Sequence, residues 1–154
     1  MRLSTKGRYA VMAMADLAKR GGEARAVTLA DIAQRQDISL AYLEQLFARL
    51  RRGGLVKSVR GPGGGYRLAL PADRTSVADI VTAVDEPLEA VRCTSLPGGC
   101  MPGGERCLTH DLWDDLGQHI HDYLASVTLD DVISGRLARE RRAHPGREMV
   151  GALA

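Results

Sequence analysis

The feature that most constrains the fold is the segment Gly61–Gly65, which is made only of glycine and proline. Such a segment favours a turn, and it separates two strand-like runs, Leu55–Val59 and Tyr66–Leu70. The sequence therefore predicts a two-stranded hairpin with an exposed loop. Nucleotide binding is not expected, because the loop lacks the Lys-Ser/Thr pair of a P-loop and no helical pattern follows it.

Two short helices are predicted directly before the hairpin. The first is capped by Thr28, with Asp31 placed as in a capping box, and it ends at Gln36. After a tight turn, Ser39 caps the second helix, which Gly53–Gly54 stops. Its apolar positions are Leu40, Leu43, Leu46, Phe47 and Leu50. Two such helices form a helix-turn-helix, whose second member can enter the major groove of DNA, and the hairpin is then a wing.

Further helices are predicted on both sides of this unit. A helix over Thr5–Lys19 has an expected apolar face made of Tyr9, Val11, Met12, Met14, Ala15 and Ala18. Behind the wing, Ser76 begins a capping-box pattern for a helix to about Val84, and Thr128 begins a short last helix to about Ser134. The predicted fold class is mainly α with a small β-wing.

One predicted helix, of about eighteen residues from Thr109, carries a long apolar stripe. The stripe consists of Leu108, Leu112, Leu116, Ile120 and Leu124, with Trp113, Tyr123 and Val127 beside it. It is longer than so small a core requires, and a winged-helix repressor needs two copies to read a two-fold symmetric operator. We therefore predict a dimerisation helix; the alternative is that the stripe packs on its own domain.

Charge is divided unevenly along the chain. Residues 1–70 contain 13 Lys and Arg against 5 Asp and Glu, a net charge of +8, whereas residues 71–154 contain 8 against 14, a net charge of −6. The basic half coincides with the predicted helix-turn-helix and wing. This coincidence favours binding of a polyanion such as DNA by that half.

The residues expected to contact DNA fall into three groups. The recognition helix and its cap offer groups for base edges and nearby phosphates: Ser39, Ala41, Tyr42, Glu44 and Gln45, with Thr28 capping the preceding helix. Gln45 suits adenine, and Glu44 suits the N4 donor of cytosine unless it simply faces solvent. The wing offers Arg60, Gly61, Pro62 and Gly63, with Arg60 directed to a minor groove. Basic residues for phosphate attraction are Arg2, Lys6, Arg8, Arg49, Arg51, Arg52 and Lys57.

The only three cysteines, Cys93, Cys100 and Cys107, lie with His110 in one glycine- and proline-rich stretch. Thiolates and imidazole bind zinc and iron strongly, so these residues point to a metal ion or an iron-sulfur cluster. Structural zinc sites commonly use closer cysteine pairs than the six-residue gaps here, but the residues alone leave both interpretations open. His119, His121 and His144 have no comparable neighbours and are expected at the surface.

Four strings of the chain closely resemble the IscR family of iron-sulfur cluster regulators, which are winged-helix bacterial transcription factors. They are MRLSTKGRYAVMAM, ISLAYLEQLFARLRRGGLVKSVRGPGGGYRL, AVDEPLEAVRC and CLTHDLW. The resemblance covers roughly residues 1–135. It implies a homodimer that binds operator DNA. It also implies a [2Fe-2S] cluster, supplied by the iron-sulfur assembly machinery, on ligands that fall on Cys93, Cys100, Cys107 and His110.

The same resemblance implies that the cluster-bound form represses genes for cluster assembly, while the apo form keeps activity, including activation, at a second class of sites. One departure concerns the cluster type. Both gaps between cysteines contain six residues, where five are expected in the family. Relatives in the wider family hold [4Fe-4S] clusters for iron or nitric oxide sensing, and a regulator of that kind is the nearest alternative.

These expectations divide the chain into consecutive regions: a winged helix-turn-helix domain at 1–72, a linker helix at 73–90, a cluster-binding loop at 91–110, the dimerisation and last helices at 109–135, and a disordered tail at 136–154. No enzyme motif is recognisable, so catalysis is not expected. An iron-sulfur electron carrier would leave the helix-turn-helix unexplained. The absence of a membrane-length apolar run and the odd number of cysteines predict a cytoplasmic protein.

Overall fold

The computed structural model describes residues 5–84, 100–101 and 103–137. Six α-helices are present in this part: α1 (Thr5–Arg20), α2 (Leu29–Gln36), α3 (Leu40–Arg52), α4 (Val77–Ala83), α5 (His110–Ser126) and α6 (Leu129–Ser134). Strands β1 (Val56–Val59) and β2 (Gly65–Leu68) follow α3, and a short 3-10 helix at Ala72–Arg74 precedes α4. Arg2, Cys93, His144 and most of the predicted tail lie outside the described residues.

The helix-turn-helix is formed by α2 and α3, and both helices start at the predicted caps. The Thr28 hydroxyl accepts a hydrogen bond from the Asp31 amide, and the Ser39 hydroxyl accepts one from the Tyr42 amide. Asp37 ends α2 in the left-handed conformation, with φ 52°, which an Asp tolerates better than most residues. This single residue makes the tight turn between the two helices.

The wing is the antiparallel pair β1 and β2. Compared with the prediction, β1 starts one residue later, and β2 starts one residue earlier and ends two residues earlier. At its base, Tyr66 exchanges two backbone hydrogen bonds with Val27, in the segment before α2, each 2.8 Å long. Gly65 has φ 143°, and a Cβ there would clash with the Val27 carbonyl oxygen. Glycine is therefore required where the wing passes over the start of the helix-turn-helix.

The main core lies among α1, α3, the wing and α4, and it includes Leu129 of α6. In α3 the buried residues are Leu43, Leu46, Phe47 and Leu50, as predicted, but Leu40 is exposed because it sits in the first turn beside the recognition surface. A second, smaller cluster joins Val77 and Val81 of α4 to Val127. The helix predicted as a linker thus contributes to both clusters.

The predicted apolar face of α1 is displaced from the observed one, and of the predicted residues Met14 is the one that is fully buried. The fully buried apolar residues are Ala10, Ala13, Met14 and Leu17, which follow the i, i+3, i+4, i+7 spacing of a core-facing stripe. Tyr9, Val11, Ala15 and Ala18 lie at the margins and are only partly buried. The sequence prediction favoured larger side chains, which lie at the margins, over the small Ala10 and Ala13, which are buried.

The C-terminal helices are held by backbone and capping contacts. The Val77 amide donates a hydrogen bond to the Val127 carbonyl, and the Leu129 amide donates one to the Thr75 carbonyl. Thr128 and Asp131 complete a capping box at α6. Ser76 and Asp79 do the same at α4. Within 5–84, 100–101 and 103–137, no helix is long and apolar enough to cross a membrane.

Candidate DNA-binding face and cluster-binding loop

The recognition helix α3 presents a continuous exposed surface opposite its buried leucines. Ala41, Glu44, Gln45 and Arg51 are exposed on it, and the cap Ser39 is exposed at its N-terminal end. The alanine is small enough to let the helix approach a base-pair edge closely, while the glutamate and glutamine supply hydrogen-bonding groups. Of the residues predicted here, these five lie on one accessible side.

Tyr42 and Arg49 lie at the border of this surface and are half-buried. The Tyr42 ring packs edge-on against Tyr9 of α1, with ring centroids 6.1 Å apart. The Tyr42 ring therefore helps to fix α3 against α1. Lys6, also half-buried, and Arg8, which is exposed, lie on the same N-terminal helix as Tyr9.

The tip of the wing is fully exposed. Arg60, Gly61, Pro62 and Gly63 are all exposed, and Gly61 and Gly63 have φ angles of 89° and 73°. A tip of this kind offers backbone amides and one guanidinium without bulky side chains in the way. Thr28, Arg52 and Lys57 are exposed as well, so the predicted contact residues that the structure describes have at least partial access to solvent.

A charge cluster that the sequence interpretation missed fixes the orientation of α2. Asp16 of α1 is only 8% exposed, and it accepts hydrogen bonds from Arg35 at 2.7–3.2 Å and from Gln36 at 3.1 Å. The hydrogen bonds from Arg35 to the Asp16 carboxylate raise the pKa of the guanidinium above its ordinary value. A buried acid within an apolar stripe was the available sequence signal, because such a group requires a partner.

The loop before α5 brings Cys100 and His110 together. Cys100 Sγ lies 3.6 Å from His110 Nδ1, Cys100 is half-buried, and His110 is 9% exposed. A tetrahedral metal bound to one sulfur at about 2.3 Å and one nitrogen at about 2.0 Å places these two atoms about 3.5 Å apart. The observed separation therefore fits two ligands of one metal atom, and the His110 side chain is not directed to solvent.

Cys107 lies beside this pair. Its backbone amide donates a hydrogen bond to Cys100 Sγ at 3.1 Å, and its carbonyl accepts one from the His110 amide at 3.0 Å. The backbone of Cys107 thus holds both Cys100 and His110 at the start of α5. Among the described residues, no three His, Cys, Asp or Glu side chains converge as a metal site, and Cys93 lies outside those residues.

Thr109 and Trp113 had no predicted role at the candidate metal site. Thr109 Oγ1 lies 3.7 Å from Cys107 Sγ, and it accepts a hydrogen bond of 3.1 Å from Trp113 Nε1. The i, i+4 spacing of Thr109 and Trp113 in a helix beginning at His110 was the signal that could have found this pair.

The apolar stripe of α5 divides into two parts. Ile120 and Leu124 are partly buried, and Leu124 packs against the cluster of Val77 and Val127. In contrast, Leu108, Leu112, Leu116 and Tyr123 are exposed. Within α5, Leu112, Leu116 and Tyr123 form a row of large apolar side chains on one side of the helix, which the rest of the described chain does not cover.

Comparisons with known proteins bear on both regions. The family model Rrf2, described as an iron-dependent transcriptional regulator, matches residues 3–135. An HTH-type transcriptional regulator IscR of Erwinia tasmaniensis is 55% identical over 136 residues, which cover 88% of this chain and 81% of that protein. A regulator of the same name from Escherichia coli O1:K1 is 53% identical, covering 88% and 82%.

Two solved structures also resemble this chain in sequence and in fold. A structure of IscR from T. potens has 38% sequence identity and a TM-score of 0.70, covering 96% of this chain and 93% of that chain. CymR, the global cysteine regulator of B. subtilis, has 36% identity and a TM-score of 0.73, covering 88% and 98%.

Proposed function

The chain belongs to the Rrf2 family of transcriptional regulators, and from this premise we propose that it senses iron-sulfur status through a [2Fe-2S] cluster. The winged helix-turn-helix fold, the resemblance to IscR and the absence of an enzymatic role are confirmed by its relatives. The proposed ligands are Cys93, Cys100, Cys107 and His110. The proposed output is control, mainly repression, of genes for iron-sulfur biogenesis in the cytoplasm.

The observation that carries this proposal is the pairing of Cys100 and His110 at the start of α5. His110 is buried, Cys100 is half-buried, and their separation of 3.6 Å suits a shared metal atom. When bound, a cluster supplies a one-electron redox centre whose occupancy depends on iron and sulfide. The chain's own contribution is to hold one imidazole and one thiolate at the base of α5, with the Cys107 amide on the Cys100 sulfur.

A histidine ligand has a consequence for stability of the site. A neutral imidazole replaces one negatively charged thiolate, so one ligand charge fewer holds the iron. The site is therefore expected to lose its cluster more readily than one with four cysteines, which suits a sensor whose occupancy reports cluster supply. Replacing His110 by Cys is expected to slow cluster loss, and an unchanged rate of loss contradicts this role.

The proposed DNA contacts combine the exposed side of α3 with the wing. Ser39, Ala41, Glu44 and Gln45 would meet base edges and adjacent phosphates, while Arg60 would enter the neighbouring minor groove. Arg8, Arg51 and Lys57 would add phosphate attraction. These residues are exposed, as such contacts require.

We assign dimerisation to the exposed row on α5. Leu112, Leu116 and Tyr123 would be covered by the same row of a second chain, and the resulting pair would present two recognition helices to a two-fold symmetric operator. Cluster binding at the base of α5 would order the loop and bias the spacing of those helices. The division into a DNA-binding domain, cluster loop and dimerisation helix follows from this assignment.

Anaerobic purification followed by iron, acid-labile sulfide and zinc analysis tests the cofactor. About two irons and two sulfides per chain are expected, with loss of both in Cys100→Ser and His110→Ala but not in the control His121→Ala on the exposed side of α5. Four irons favour the [4Fe-4S] alternative, suggested by the six-residue cysteine gaps. Stoichiometric zinc without sulfide contradicts the sensor proposal and leaves a structural site.

A separate binding experiment tests the DNA side. Retention on operator DNA is expected to fall steeply with salt, and Arg60→Ala is expected to weaken it and reduce the salt slope by about one. Arg74→Ala, an exposed arginine outside the helix-turn-helix and wing, is the matched control. A cluster-containing protein without sequence-specific DNA retention would instead favour an electron carrier.

A further inference from the structure

We propose that Thr109 tunes the metal site by donating a hydrogen bond to the Cys107 thiolate, and that Trp113 holds the Thr109 hydroxyl in the donating orientation. This inference rests on the proposed function, because it assigns positioning residues to the same site. It concerns two side chains at the start of α5 that are not themselves proposed as ligands.

The direction of the hydrogen bonds follows from the chemistry of the three groups. The indole N–H of Trp113 is only a donor, so its 3.1 Å contact occupies a lone pair of Thr109 Oγ1. The hydroxyl keeps its own hydrogen, and Cys107 Sγ is the sulfur 3.7 Å away. A metal-bound thiolate carries no proton and can only accept. The hydroxyl hydrogen therefore points to the sulfur, and the contact with Trp113 polarises it in that direction.

Thr109 occupies a helix-capping position, but its hydroxyl does not cap the helix. It is the N-cap residue of α5, yet its side chain makes no capping hydrogen bond. The caps Thr28, Ser39, Ser76 and Thr128 each accept a hydrogen bond from the amide three residues on. A threonine normally stabilises a helix start in this way. At α5 the hydroxyl instead lies between the cysteine and the tryptophan.

A hydrogen bond to a ligating sulfur withdraws negative charge from the metal. The reduced state of a cluster carries one more electron than the oxidised state, so it gains more from this withdrawal, and the reduction potential rises. Removing the hydroxyl is therefore expected to lower the potential. The same change makes the sulfur a better electron donor, which moves a thiolate-to-metal charge-transfer band to longer wavelength.

The experiment uses the full chain with Thr109→Val, Thr109→Ser and Trp113→Phe. Each protein is loaded anaerobically with cluster for a potential titration, and separately with cobalt(II) for absorption spectra. Thr109→Val is expected to lower the potential and shift the cobalt band to longer wavelength. Trp113→Phe should do the same to a smaller extent, and Thr109→Ser should stay close to the parent chain. Thr82→Val, at an exposed position of α4, is the matched control.

The outcomes separate this inference from the proposed function. If the parent chain binds cluster and cobalt but neither Thr109→Val nor Trp113→Phe moves either reading, the inference is wrong and the proposed function stands. If the parent chain binds neither, both are contradicted. If Thr109→Val fails to load, Trp113→Phe decides, since it retains the threonine. Equal shifts in Thr109→Ser and Thr109→Val would show that shape and not the hydroxyl is responsible.

Discussion

The predicted DNA-binding half, which comprises α1–α3 and the wing, and α5 differ in how far their apolar side chains are buried. In α3 the leucines at positions 43, 46 and 50 are buried, whereas Leu112, Leu116 and Tyr123 of α5 are exposed. The two helices have the same kind of sequence periodicity, so periodicity shows that a helix has an apolar side but does not show what covers it. The apolar side of α3 is covered by other parts of the described chain, whereas the apolar side of α5 is left partly exposed by them.

The two regions also differ in what their buried polar side chains contact. In the DNA-binding half, the buried Asp16 is met by Arg35 and Gln36, so its charge is balanced within the chain. Near α5, the buried His110 is met by a thiol at 3.6 Å, which is a pairing suited to a metal. The buried acid therefore has partners of opposite or complementary polarity within the chain, whereas the proposed metal site depends on a group from outside the chain.

The largest expected effect comes from making one substitution in both helices. Leu43→Ala removes a fully buried side chain and is expected to lower the free energy of unfolding by about 2–5 kcal/mol. Leu112→Ala removes a side chain that is 59% exposed and is expected to change the stability of a dilute single chain by no more than about 0.5 kcal/mol. Urea unfolding followed by circular dichroism measures both.

Repeating these measurements at several protein concentrations tests whether α5 joins two chains. If α5 joins two chains, Leu112→Ala lowers the apparent stability at high concentration, where the parent is dimeric, and the deficit shrinks on dilution. The deficit of Leu43→Ala should remain at every concentration. A Leu112→Ala deficit as large as that of Leu43→Ala and independent of concentration would mean that the exposed row is covered within the chain.

A smaller effect is expected from Asp16→Ala. The substitution leaves Arg35 and Gln36 without their acceptor, and loss of hydrogen bonds to a charged group costs about 1–3 kcal/mol. Arg35 is one-third exposed, so water replaces part of the lost contact and keeps the cost within that range. Because the contacts join α1 to α2, DNA binding should weaken further than the stability loss alone explains.

Glu23→Ala is the matched control for this prediction, since it removes an exposed acidic side chain from the turn after α1. It is expected to leave stability and DNA retention nearly unchanged. Equal unfolding curves for Asp16→Ala and the parent chain would show that the buried carboxylate does not hold the helix-turn-helix in place.

Most helix starts were predictable because they depend on local chemistry. Ser39, Ser76 and Thr128 cap the helices that the sequence assigns to them, since a hydroxyl followed by the right residues satisfies free amides wherever it lies. The orientation of α1 was not predictable in this way. Its buried stripe is marked by the small residues Ala10 and Ala13, which gain their role only when another helix packs closely against them.

The candidate metal site was likewise predictable only where it depends on neighbouring residues in the sequence. The nearness of Cys100 and His110 agrees with their place in one short stretch of sequence. The role of Thr109 was hidden because a threonine before a helix normally predicts a cap, and only the positions of Cys107 and Trp113 reveal the different use. Long-range pairs such as Asp16 and Arg35 likewise depend on how helices meet, which no local pattern encodes.

The smallest expected effect is a dependence of stability on acid pH at α6. Hydrogen bonds from the Thr128 amide and hydroxyl, and then from Arg136, lower the pKa of Asp131 from 3.8 to about 2. A carboxyl whose pKa is lowered in the folded chain stabilises that chain fully above its ordinary pKa. This contribution is lost as the pH falls from about 4 to about 2, because the group is protonated first in the unfolded chain. Thermal unfolding at a series of pH values measures it.

Asp131→Asn should be less stable than the parent chain at neutral pH, and the difference should disappear as the pH approaches 2. Asp114→Asn, an exposed carboxylate on α5, corrects for the loss of one negative charge. Because Leu129 anchors α6 in the core of the DNA-binding half, loosening the cap should lower the unfolding temperature of the whole described fold. A difference between Asp131→Asn and the parent that stays constant from neutral pH to pH 2 would mean that the carboxylate charge does not contribute through this cap.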